Sequence, residues 1–347
     1  MKRVFVNGYG SIGRRIAAVI SDDPEVELAG VGRHTPSGDI RAIASGGIRV
    51  YAPAARVHEF EGLGVSGTIE SVLPSCDLVV DASPGGMGAR NKRDLYLPLG
   101  VRAVYQGGET SPGGGAPSDL IFNSAANYSG AAPLDHVIQG SCNVTGMGRI
   151  IGPLRAAFPG RLERLDVTLV RRWADIGQDA EIPDTVEISR SPHHGDDVLS
   201  YMGTDVPLHV RAVKVPTRQM HLHLLDARFS GGAPDPGDVH AAYAGAPGVA
   251  VLWGAGGTRQ VREFAETAGF AFGDTGMVHL HAEMTSSAGD TVKMIYSDDQ
   301  TGIVIPDNHM LVQAMLFGRP YAEARAHTEQ VMGTAQKRRL LEERFAR

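Results

Sequence analysis

The chain contains 347 residues, a length that corresponds to about two domains of roughly 150 residues each. Hydrophobic residues make up 42% and charged residues 21%, which is typical of a globular protein and excludes a disordered chain. A net charge of −6 excludes the strongly basic field that attracts nucleic acid or an anionic membrane. No apolar run reaches the roughly 18 residues of a membrane span, no signal-peptide pattern opens the chain, and two cysteines form no disulfide framework, so we expect a cytoplasmic protein.

The first 140 residues alternate short β-rich runs with glycine-rich turns and helical stretches. Residues 3–7 form the first predicted strand, isoleucine recurs at helical spacing over residues 12–20, and residues 26–31 form the second strand. Further apolar strands are predicted at residues 77–82, 103–106 and 136–139. Apolar strands that alternate with helices predict a doubly wound α/β domain over residues 1–140, with a parallel sheet covered on both faces.

The pattern changes near residue 150. Strands with alternating apolar and polar side chains are predicted at residues 165–170, 208–215 and 220–225. Such strands favour a mixed or antiparallel sheet, so we expect an α+β catalytic domain over residues 141–305. The helical pattern that follows is broken by Gly318 and Pro320, and we expect the helices of residues 306–347 to pack back on the first domain.

Gly8, Gly10 and Gly13 match the pattern G-x-G-x-x-G between the first predicted strand and the first helix. In that context the first glycine forms the turn, the second lets the backbone approach a pyrophosphate, and the third lets helix and strand pack closely. The N–H groups at the start of the helix then face the anion. The motif predicts a Rossmann domain that binds a dinucleotide cofactor; the alternative is a glycine-rich turn without a ligand.

The end of the second strand bears on the choice of cofactor. NAD enzymes commonly carry an acidic residue there, which binds the ribose 2′-hydroxyl. Residues 32–35 are instead Gly-Arg-His-Thr, with no carboxylate to repel a 2′-phosphate and with Arg33 able to pair with one. We therefore expect NADP to be used at least as well as NAD, unless Arg33 only faces solvent. Glycine-rich loops at residues 83–88 and 106–109 follow predicted strands and are expected to border the nicotinamide.

Cys142 is the candidate nucleophile. It lies in the segment Gly-Ser-Cys-Asn-Val-Thr-Gly (140–146), after a predicted strand and before a helical pattern. A helix N-terminus lowers the pKa of a thiol and offers N–H groups to a developing oxyanion. Cys76 lies at the start of an apolar strand and fits a buried structural role instead.

His221 and His223 lie two residues apart on a predicted strand, so both side chains face one side and the neighbouring apolar residues face the other. We interpret the histidine side as the wetter face of the strand and as the floor of a site. The chain contains no H-E-x-x-H or C-x-x-C pattern, and its histidines follow no usual ligand spacing, so we expect no metal.

Further cationic groups lie in the second half of the chain. Arg171 and Arg172 end a predicted strand, and His193 and His194 open a predicted loop. Arginine offers a bidentate fork and histidine donates from either ring nitrogen, so these groups suit a substrate phosphate or carboxylate. Paired arginines are also common on solvent-facing surfaces, so alone they decide nothing.

Eight segments, spread over about residues 3–317, carry a resemblance to a known family: VNGYGSIGRR, VDASPGGMGARNK, QGGE, GSCNVTG, RRWAD, SPHHGDDV, VPTRQMHLH and VIPDN. One such segment arises by chance, but eight in the family's order are specific. In these segments the chain resembles the archaeal-type (type II) glyceraldehyde-3-phosphate dehydrogenases, and the resemblance implies a homotetramer.

The resemblance also implies a mechanism. Cys142 as thiolate attacks the aldehyde carbon of glyceraldehyde 3-phosphate, and His221 acts as general base while hydride leaves for the nicotinamide. Inorganic phosphate then attacks the thioester and releases 1,3-bisphosphoglycerate. His223 shares the face of His221, and only the family pattern separates the two as candidates for the base.

The remaining site residues follow from the same resemblance. The substrate is held by Ser141, Asn143, Arg171, His193 and His194. NADP or NAD is held by the glycine motif (Gly8, Gly10, Ser11, Ile12, Gly13) and by Gly108, Arg172 and Gln300. Arg33 is included because it follows the second predicted strand, where the ribose of the cofactor is expected.

Three other functions are also compatible with the sequence. Aspartate-semialdehyde and N-acetylglutamyl-phosphate reductases share the two-domain plan and the thioester chemistry, with a different substrate. In a non-phosphorylating aldehyde dehydrogenase, water rather than phosphate resolves the thioester. From another class, a thiol redox sensor with a vestigial cofactor fold requires a low-pKa, accessible Cys142.

Overall fold

A computed structural model describes residues 1–106, 115–176, 178–190 and 193–347. Its strands, numbered along the chain, are β1 (Lys2–Asn7), β2 (Val26–Gly32), β3 (Val50–Ala52), β4 (Gly67–Thr68), β5 (Leu78–Asp81), β6 (Ala103–Tyr105), β7 (Ile121–Phe122), β8 (His136–Gln139), β9 (Leu162–Arg172), β10 (Glu187–Ser189), β11 (Leu208–Val215), β12 (His221–Phe229), β13 (Val249–Leu252), β14 (Val278–His281), β15 (Ser286–Ala288) and β16 (Thr291–Asp298).

The α-helices are α1 (Ser11–Asp22), α2 (Asp39–Ser45), α3 (Ile69–Val72), α4 (Met87–Asn91), α5 (Leu97–Leu99), α6 (Ser124–Asn127), α7 (Cys142–Ala157), α8 (His194–Met202), α9 (Pro236–Tyr243), α10 (Thr258–Thr267), α11 (Val304–Phe317), α12 (Tyr321–Met332) and α13 (Thr334–Arg344). Across the described residues, none of these helices is both long and apolar enough to cross a lipid bilayer.

The first compact unit comprises Met1–Gln139 and Asp307–Met332. Its eight described strands form a sheet in the order β4-β3-β2-β1-β5-β6-β8-β7, and neighbouring strands are parallel. The strand order reverses at β1, where Asn7 is in register with Gly32 of β2 and Asp81 of β5. This topology confirms the predicted doubly wound, Rossmann-like domain, and ligands of such sheets bind at the carboxyl ends of the strands beside this reversal.

The second compact unit comprises Gly140–Pro306 and Gly333–Arg347. Its described strands form a mixed sheet in the order β10-β11-β9-β12-β16-β14-β13, and β15 adds to β16. Strand β12 lies in the middle and runs antiparallel to both β9 and β16. The α/β character and the mixed second sheet agree with the sequence analysis, and β12 carries the two candidate histidines.

The C-terminal helices divide between the two units. Helix α12 and most of α11 belong to the first unit, and α13 belongs to the second unit. Leu341 and Phe345 are buried in an apolar cluster with Leu252, Val261 and Ala265. A single pattern of apolar positions marks these residues as buried but does not say which neighbour buries them, so the packing of α13 was not predictable. The boundaries at residues 140 and 305 stay predictions.

Candidate active site

The glycine motif forms a tight turn between β1 and α1. Gly8 has a φ of +114°, and a Cβ there would lie 2.7 Å from the carbonyl oxygen of Ala82. A Cβ on Gly13 would lie 2.0 Å from the Gly8 carbonyl oxygen, so only glycine lets helix and strand come this close. These two positions meet the steric demands that the motif predicts.

Gly10 leaves open space in front of α1. A Cβ on Gly10 would meet no atom within 4 Å, and no side chain caps the helix that begins at Ser11 and Ile12. A helix start without a side-chain cap has N–H groups that need an acceptor. The turn therefore fits the pyrophosphate of a dinucleotide, although binding itself stays a prediction.

Arg33 lies beside this turn. Its Nη1 donates to the carbonyl oxygen of Tyr9 at 3.2 Å, and its Nη2 lies 2.9 Å from Oδ1 of Asp39, at the start of α2. The sequence analysis found no carboxylate near the end of β2. Asp39 was not predicted as a partner of Arg33, because it lies six residues after Arg33 and reaches it only through the turn after β2. The role of Arg33 in cofactor choice stays a prediction.

Replacing Arg33 with alanine is expected to raise KM for NADP by about 10-fold to 100-fold, because a charged hydrogen bond to phosphate contributes about 1.5–3 kcal/mol. KM for NAD should change little. Steady-state kinetics with both cofactors measures the ratio. Arg41→Ala, which removes an arginine bound to the Gly62 carbonyl oxygen, is the matched control. Equal losses with NADP and NAD would contradict the proposed contact.

Gly108 and Gln300 were also predicted to bind the cofactor. Gly108 lies outside the described residues. Gln300 follows β16 and is 3% exposed, yet within the described chain neither its Oε1 nor its Nε2 has a hydrogen-bond partner. A buried amide without partners is costly, so such a group is typical of a binding site.

Cys142 is the first residue of α7 and is half-buried. Ser141 precedes it as the N-cap residue, and its hydroxyl accepts a hydrogen bond from the N–H of Val144 at 3.5 Å. The cap explains why the helix begins here. The Cys142 Sγ lies 3.9 Å from Nε2 of His221, a contact between a nucleophile and a base.

Burial decides the ionisation of this pair. It raises the pKa of Cys142 to about 11, the charge of Asp298 adds to the rise, and Arg172 and Arg171 oppose it. Burial also lowers the pKa of His221 well below its ordinary value. The low thiol pKa expected from the helix start is therefore wrong for this site, because desolvation outweighs the helix terminus. A neutral thiol faces a neutral imidazole.

The rate of Cys142 alkylation by iodoacetamide is therefore expected to rise with pH up to a midpoint above the ordinary thiol value of about 8.5. Asp298→Asn should move the midpoint down, because it removes a negative charge that disfavours the thiolate. Mass spectrometry in a Cys76→Ser background follows the reaction, and Glu283→Gln, at an exposed carboxylate of the same unit, is the control. A wild-type midpoint below 8.5 would refute the neutral pair.

The histidine face of β12 is buried, not wet. His221 and His223 are both enclosed, whereas Leu224 on the opposite face is 40% exposed. The alternation of side chains predicted the histidine face as the solvent-facing one, because apolar side chains normally mark the buried face of a strand. That prediction is wrong. The Nε2 atom of each histidine has a contact, with the thiol or with Asp298, whereas both Nδ1 atoms lack a hydrogen-bond partner among the described residues.

Asp298 is the main residue that the sequence analysis missed. It ends β16 directly opposite His221, and its Oδ2 accepts a hydrogen bond from Nε2 of His223 at 3.1 Å. Both members of this pair are 0% exposed. The signal was the polar run Asp-Asp-Gln at residues 298–300 after an apolar strand, of which only Gln300 was singled out. The pair separates the histidines: His223 faces Asp298 and His221 faces the thiol.

The ligand atoms of His221, His223 and Asp298 lie within 4.8 Å of one another, a spacing that a metal ion could bridge and that the sequence analysis did not foresee. The Nε2 atoms of both histidines already have contacts, one with the Cys142 thiol and one with Asp298. Coordination would replace the contact on which proton transfer from the thiol depends.

The predicted substrate residues begin a helix, not a loop. His193 is the N-cap residue of α8 and His194 its first residue, because Asp196 and Asp197 favour a helix start. His193 is half exposed, and its Nδ1 donates to Oδ2 of Asp197 at 2.6 Å, which raises its pKa. Its ring stacks on that of His194 at 4.5 Å.

His194 points to the nucleophile segment. Its Nε2 accepts a hydrogen bond from Nδ2 of Asn143 at 3.1 Å, and burial lowers its pKa to about 3. In the described chain, His194 Nδ1 and Asn143 Oδ1 are buried without a hydrogen-bond partner. These two atoms offer one donor and one acceptor for a polar ligand beside Cys142.

Arg171 and Arg172 end β9, and both charges act on Cys142 and His221. Arg172 also pairs with Asp175, while burial lowers its pKa. Within the second unit, Cys142 contacts His221 and Asn143 contacts His194. The same unit contains Ser141, Arg171 and Arg172, and the roles of all these residues in binding stay predictions. The first unit groups Gly8, Gly10, Ser11, Ile12, Gly13 and Arg33 around its own turn.

A Rossmann-like sheet with a glycine turn at its reversal, together with a second unit built on a mixed sheet, defines the class: this arrangement is typical of dehydrogenases. No protein-family model matches the chain. It is similar to glyceraldehyde-3-phosphate dehydrogenases of Halobacterium salinarum (33% identity over 345 residues, 96% of this chain and 100% of the relative) and Methanothermus fervidus (30% over 326 residues, 91% and 94%). A third relative, from Methanococcoides burtonii, is 33% identical over 323 residues, 90% of this chain and 93% of its own length. The chain therefore belongs to the archaeal-type glyceraldehyde-3-phosphate dehydrogenase family and is an oxidoreductase.

Proposed function

We propose that this protein is a phosphorylating glyceraldehyde-3-phosphate dehydrogenase. It converts D-glyceraldehyde 3-phosphate, inorganic phosphate and NADP⁺ or NAD⁺ to 1,3-bisphosphoglycerate and the reduced cofactor. The observation that carries the proposal is the 3.9 Å contact between Cys142 Sγ and His221 Nε2 at the start of α7. A thiol next to a neutral base is what nucleophilic attack on an aldehyde requires.

In the first step Cys142 attacks the aldehyde carbon. The C–S bond forms while the thiol proton passes to Nε2 of His221, which returns it to the former aldehyde oxygen. The raised pKa of the thiol and the lowered pKa of the imidazole mean that proton transfer accompanies attack and does not precede it.

In the second step His221 takes the proton of the thiohemiacetal hydroxyl as the carbon is oxidised. The cofactor, when bound, supplies the hydride acceptor. The thioester stays on Cys142 until an oxygen of inorganic phosphate attacks its carbonyl carbon. The C–S bond then breaks, and the sulfur leaves as thiolate and regains a proton.

Substrate binding is assigned to Ser141, Asn143, Arg171, His193 and His194. The partnerless Asn143 Oδ1 and His194 Nδ1 support this assignment, since buried polar atoms normally find partners. Arg171 supplies positive charge for a phosphate, and His193 reaches the solvent edge of the same cluster.

Cofactor binding is assigned to the glycine turn (Gly8, Gly10, Ser11, Ile12, Gly13) with Arg33, and to Gly108, Arg172 and Gln300. The open space at Gly10 and the partnerless Gln300 amide support a fit. Arg33 would hold a 2′-phosphate, so NADP is expected to serve at least as well as NAD.

We extend the proposal to a homotetramer of this chain. Within the second unit, Val186, Ile188 and Leu224 expose apolar side chains by 57%, 76% and 40%. Ile188 on β10 and Leu224 on β12 lie on different strands, and an interface that covered both would bury apolar surface of the kind that joins copies of a chain.

The test is the absorbance of reduced nicotinamide after addition of glyceraldehyde 3-phosphate, with and without phosphate. Fast, phosphate-dependent reduction supports the proposal. Phosphate-independent reduction would indicate a non-phosphorylating aldehyde dehydrogenase, and activity only with other semialdehydes would change the substrate. The redox-sensor alternative is disfavoured because it requires a low thiol pKa, and burial raises that of Cys142.

A further inference from the structure

A second polar cluster lies in the first unit, at the opposite end of α1 from the glycine turn. Asp23 directly follows α1, His309 lies on α11 and His327 lies on α12. The Nε2 of His309 lies 2.9 Å from Oδ2 of Asp23, and the Nε2 of His327 lies 3.1 Å from Oδ1. The two rings stack at 5.5 Å, so both ring nitrogens converge on one carboxylate.

Outer contacts orient all three side chains. The Nδ1 of His309 lies 2.7 Å from Oγ1 of Thr328, and Gln313 Nε2 donates to Oδ2 of Asp23 at 2.9 Å. The N–H of Glu25 donates to Oδ1 of Asp23 at 2.9 Å. A histidine that binds a metal through Nε2 usually donates its Nδ1–H to such a partner, and a ligating carboxylate is itself hydrogen-bonded.

The cluster holds a buried negative charge. Asp23 is 2% exposed, and besides the two histidines its carboxylate accepts hydrogen bonds from the Glu25 N–H and from Gln313 Nε2. Arg319 is turned to Glu25 and to Gln313. A buried carboxylate in this position is stabilised by a cation that lies between the three side chains.

We propose that Asp23, His309 and His327 form a binding site for one divalent transition metal ion, with Zn²⁺ as the best match. Two imidazole nitrogens and one carboxylate oxygen are a donor set that Zn²⁺ takes at about 2.0–2.2 Å in tetrahedral geometry, which places neighbouring donor atoms about 3.3–3.6 Å apart. The contacts of 2.9 and 3.1 Å would widen by a few tenths of an ångström when the ion binds. Water supplies the fourth ligand, and His327, whose side chain is 13% exposed, marks the side from which the ion enters.

Metal binding requires both rings in the tautomer that carries the proton on Nδ1, so that the Nε2 lone pairs of His309 and His327 face the ion. The His309 proton moves from Nε2 to Nδ1, where Thr328 Oγ1 accepts it, and the freed Nε2 lone pair faces the ion. The ion would join the end of α1 to α11 and α12, independently of the chemistry at Cys142. The competing arrangement keeps protons on both Nε2 atoms and no ion.

The test uses the full-length protein carrying Cys142→Ser, which removes the thiol from the other histidine group. After treatment with a chelator, the protein is titrated with Zn²⁺ alone by calorimetry, and Co²⁺ is used as a spectroscopic probe. We expect one ion per chain, a higher melting temperature with Zn²⁺, and a Co²⁺ spectrum of nitrogen and oxygen ligands.

His327→Gln is the main variant, because glutamine can still donate to Asp23 but has no ring nitrogen. It should weaken Zn²⁺ binding by more than about 100-fold, and Thr328→Val, which removes only the outer partner, by about 10-fold to 100-fold. His58→Gln replaces an exposed histidine of the same unit and should leave the affinity unchanged.

Two results would overturn the proposal: no Zn²⁺ binding at micromolar concentration, or binding that neither His327→Gln nor Thr328→Val weakens. Either result would leave the cluster as a set of hydrogen bonds. Circular dichroism checks that both variants are folded. If His327→Gln does not fold, Thr328→Val alone decides, because it keeps all three ligands.

Discussion

Replacing Cys142 with serine is expected to lower kcat by about 10⁴-fold or more with glyceraldehyde 3-phosphate. A serine hydroxyl in the same buried position is far less acidic than the thiol, and His221 would have to remove its proton without a soft, polarisable nucleophile in place. The loss should appear in turnover, because the proposed substrate-binding residues Asn143, Arg171 and His194 are unchanged. Absorbance of the reduced cofactor measures both kcat and KM.

Cys76→Ser is the matched control for this prediction. Cys76 is half-buried, its thiol donates to the carbonyl oxygen of Val72 at 3.4 Å, and burial raises its pKa as well. Its replacement should leave kcat near the wild-type value. Turnover that survives in Cys142→Ser but disappears in Cys76→Ser would remove Cys142 from the mechanism.

His221→Ala is expected to lower kcat by about 10²-fold to 10⁴-fold, the range that a positioned general base contributes. His223→Ala should instead act mainly on stability. It leaves the buried Asp298 carboxylate without its hydrogen bond from His223 Nε2, and removing the partner of a buried charged group costs about 3–5 kcal/mol. The two variants should therefore differ in kind: one loses turnover, and the other lowers the melting temperature.

Kinetics and thermal denaturation of both variants, measured in parallel, check this separation. The sequence alone could not make it, since both histidines lie on one face of β12. The assignment fails if His221→Ala keeps near-normal turnover while His223→Ala abolishes it. In that event Asp298 and His223 would form the catalytic base.

Much of the fold was predictable from local pattern. The runs at residues 77–82 and 136–139 became β5 and β8, and the isoleucine spacing after Gly10 became α1. These elements are predictable because a strand buried on both faces needs a continuous apolar run, and a helix on a sheet needs apolar side chains at a 3.6-residue period. The glycine turn was predictable because Gly8 and Gly13 occupy positions that no side chain can enter.

Features that depend on a distant neighbour were not predictable. Alternation along β12 identified two faces but not which one is buried, because Asp298, 75 residues away from His223, makes the histidine face the buried one. Asp39 reaches Arg33 through a turn, and His309 and His327 reach Asp23 across about 300 residues of chain. Contacts of this kind leave no local period in the sequence.

The sequence by itself determined the α/β fold class, with its parallel and mixed sheets, and the glycine turn, because each depends on short-range sterics or on a run of neighbouring side chains. Only the tertiary structure decided the charge state at Cys142, the partner of each histidine and the packing of α13. The physical reason is that desolvation and pairing depend on what surrounds a group in space. The same helix start that favours a thiolate in water holds a neutral thiol when the fold buries it.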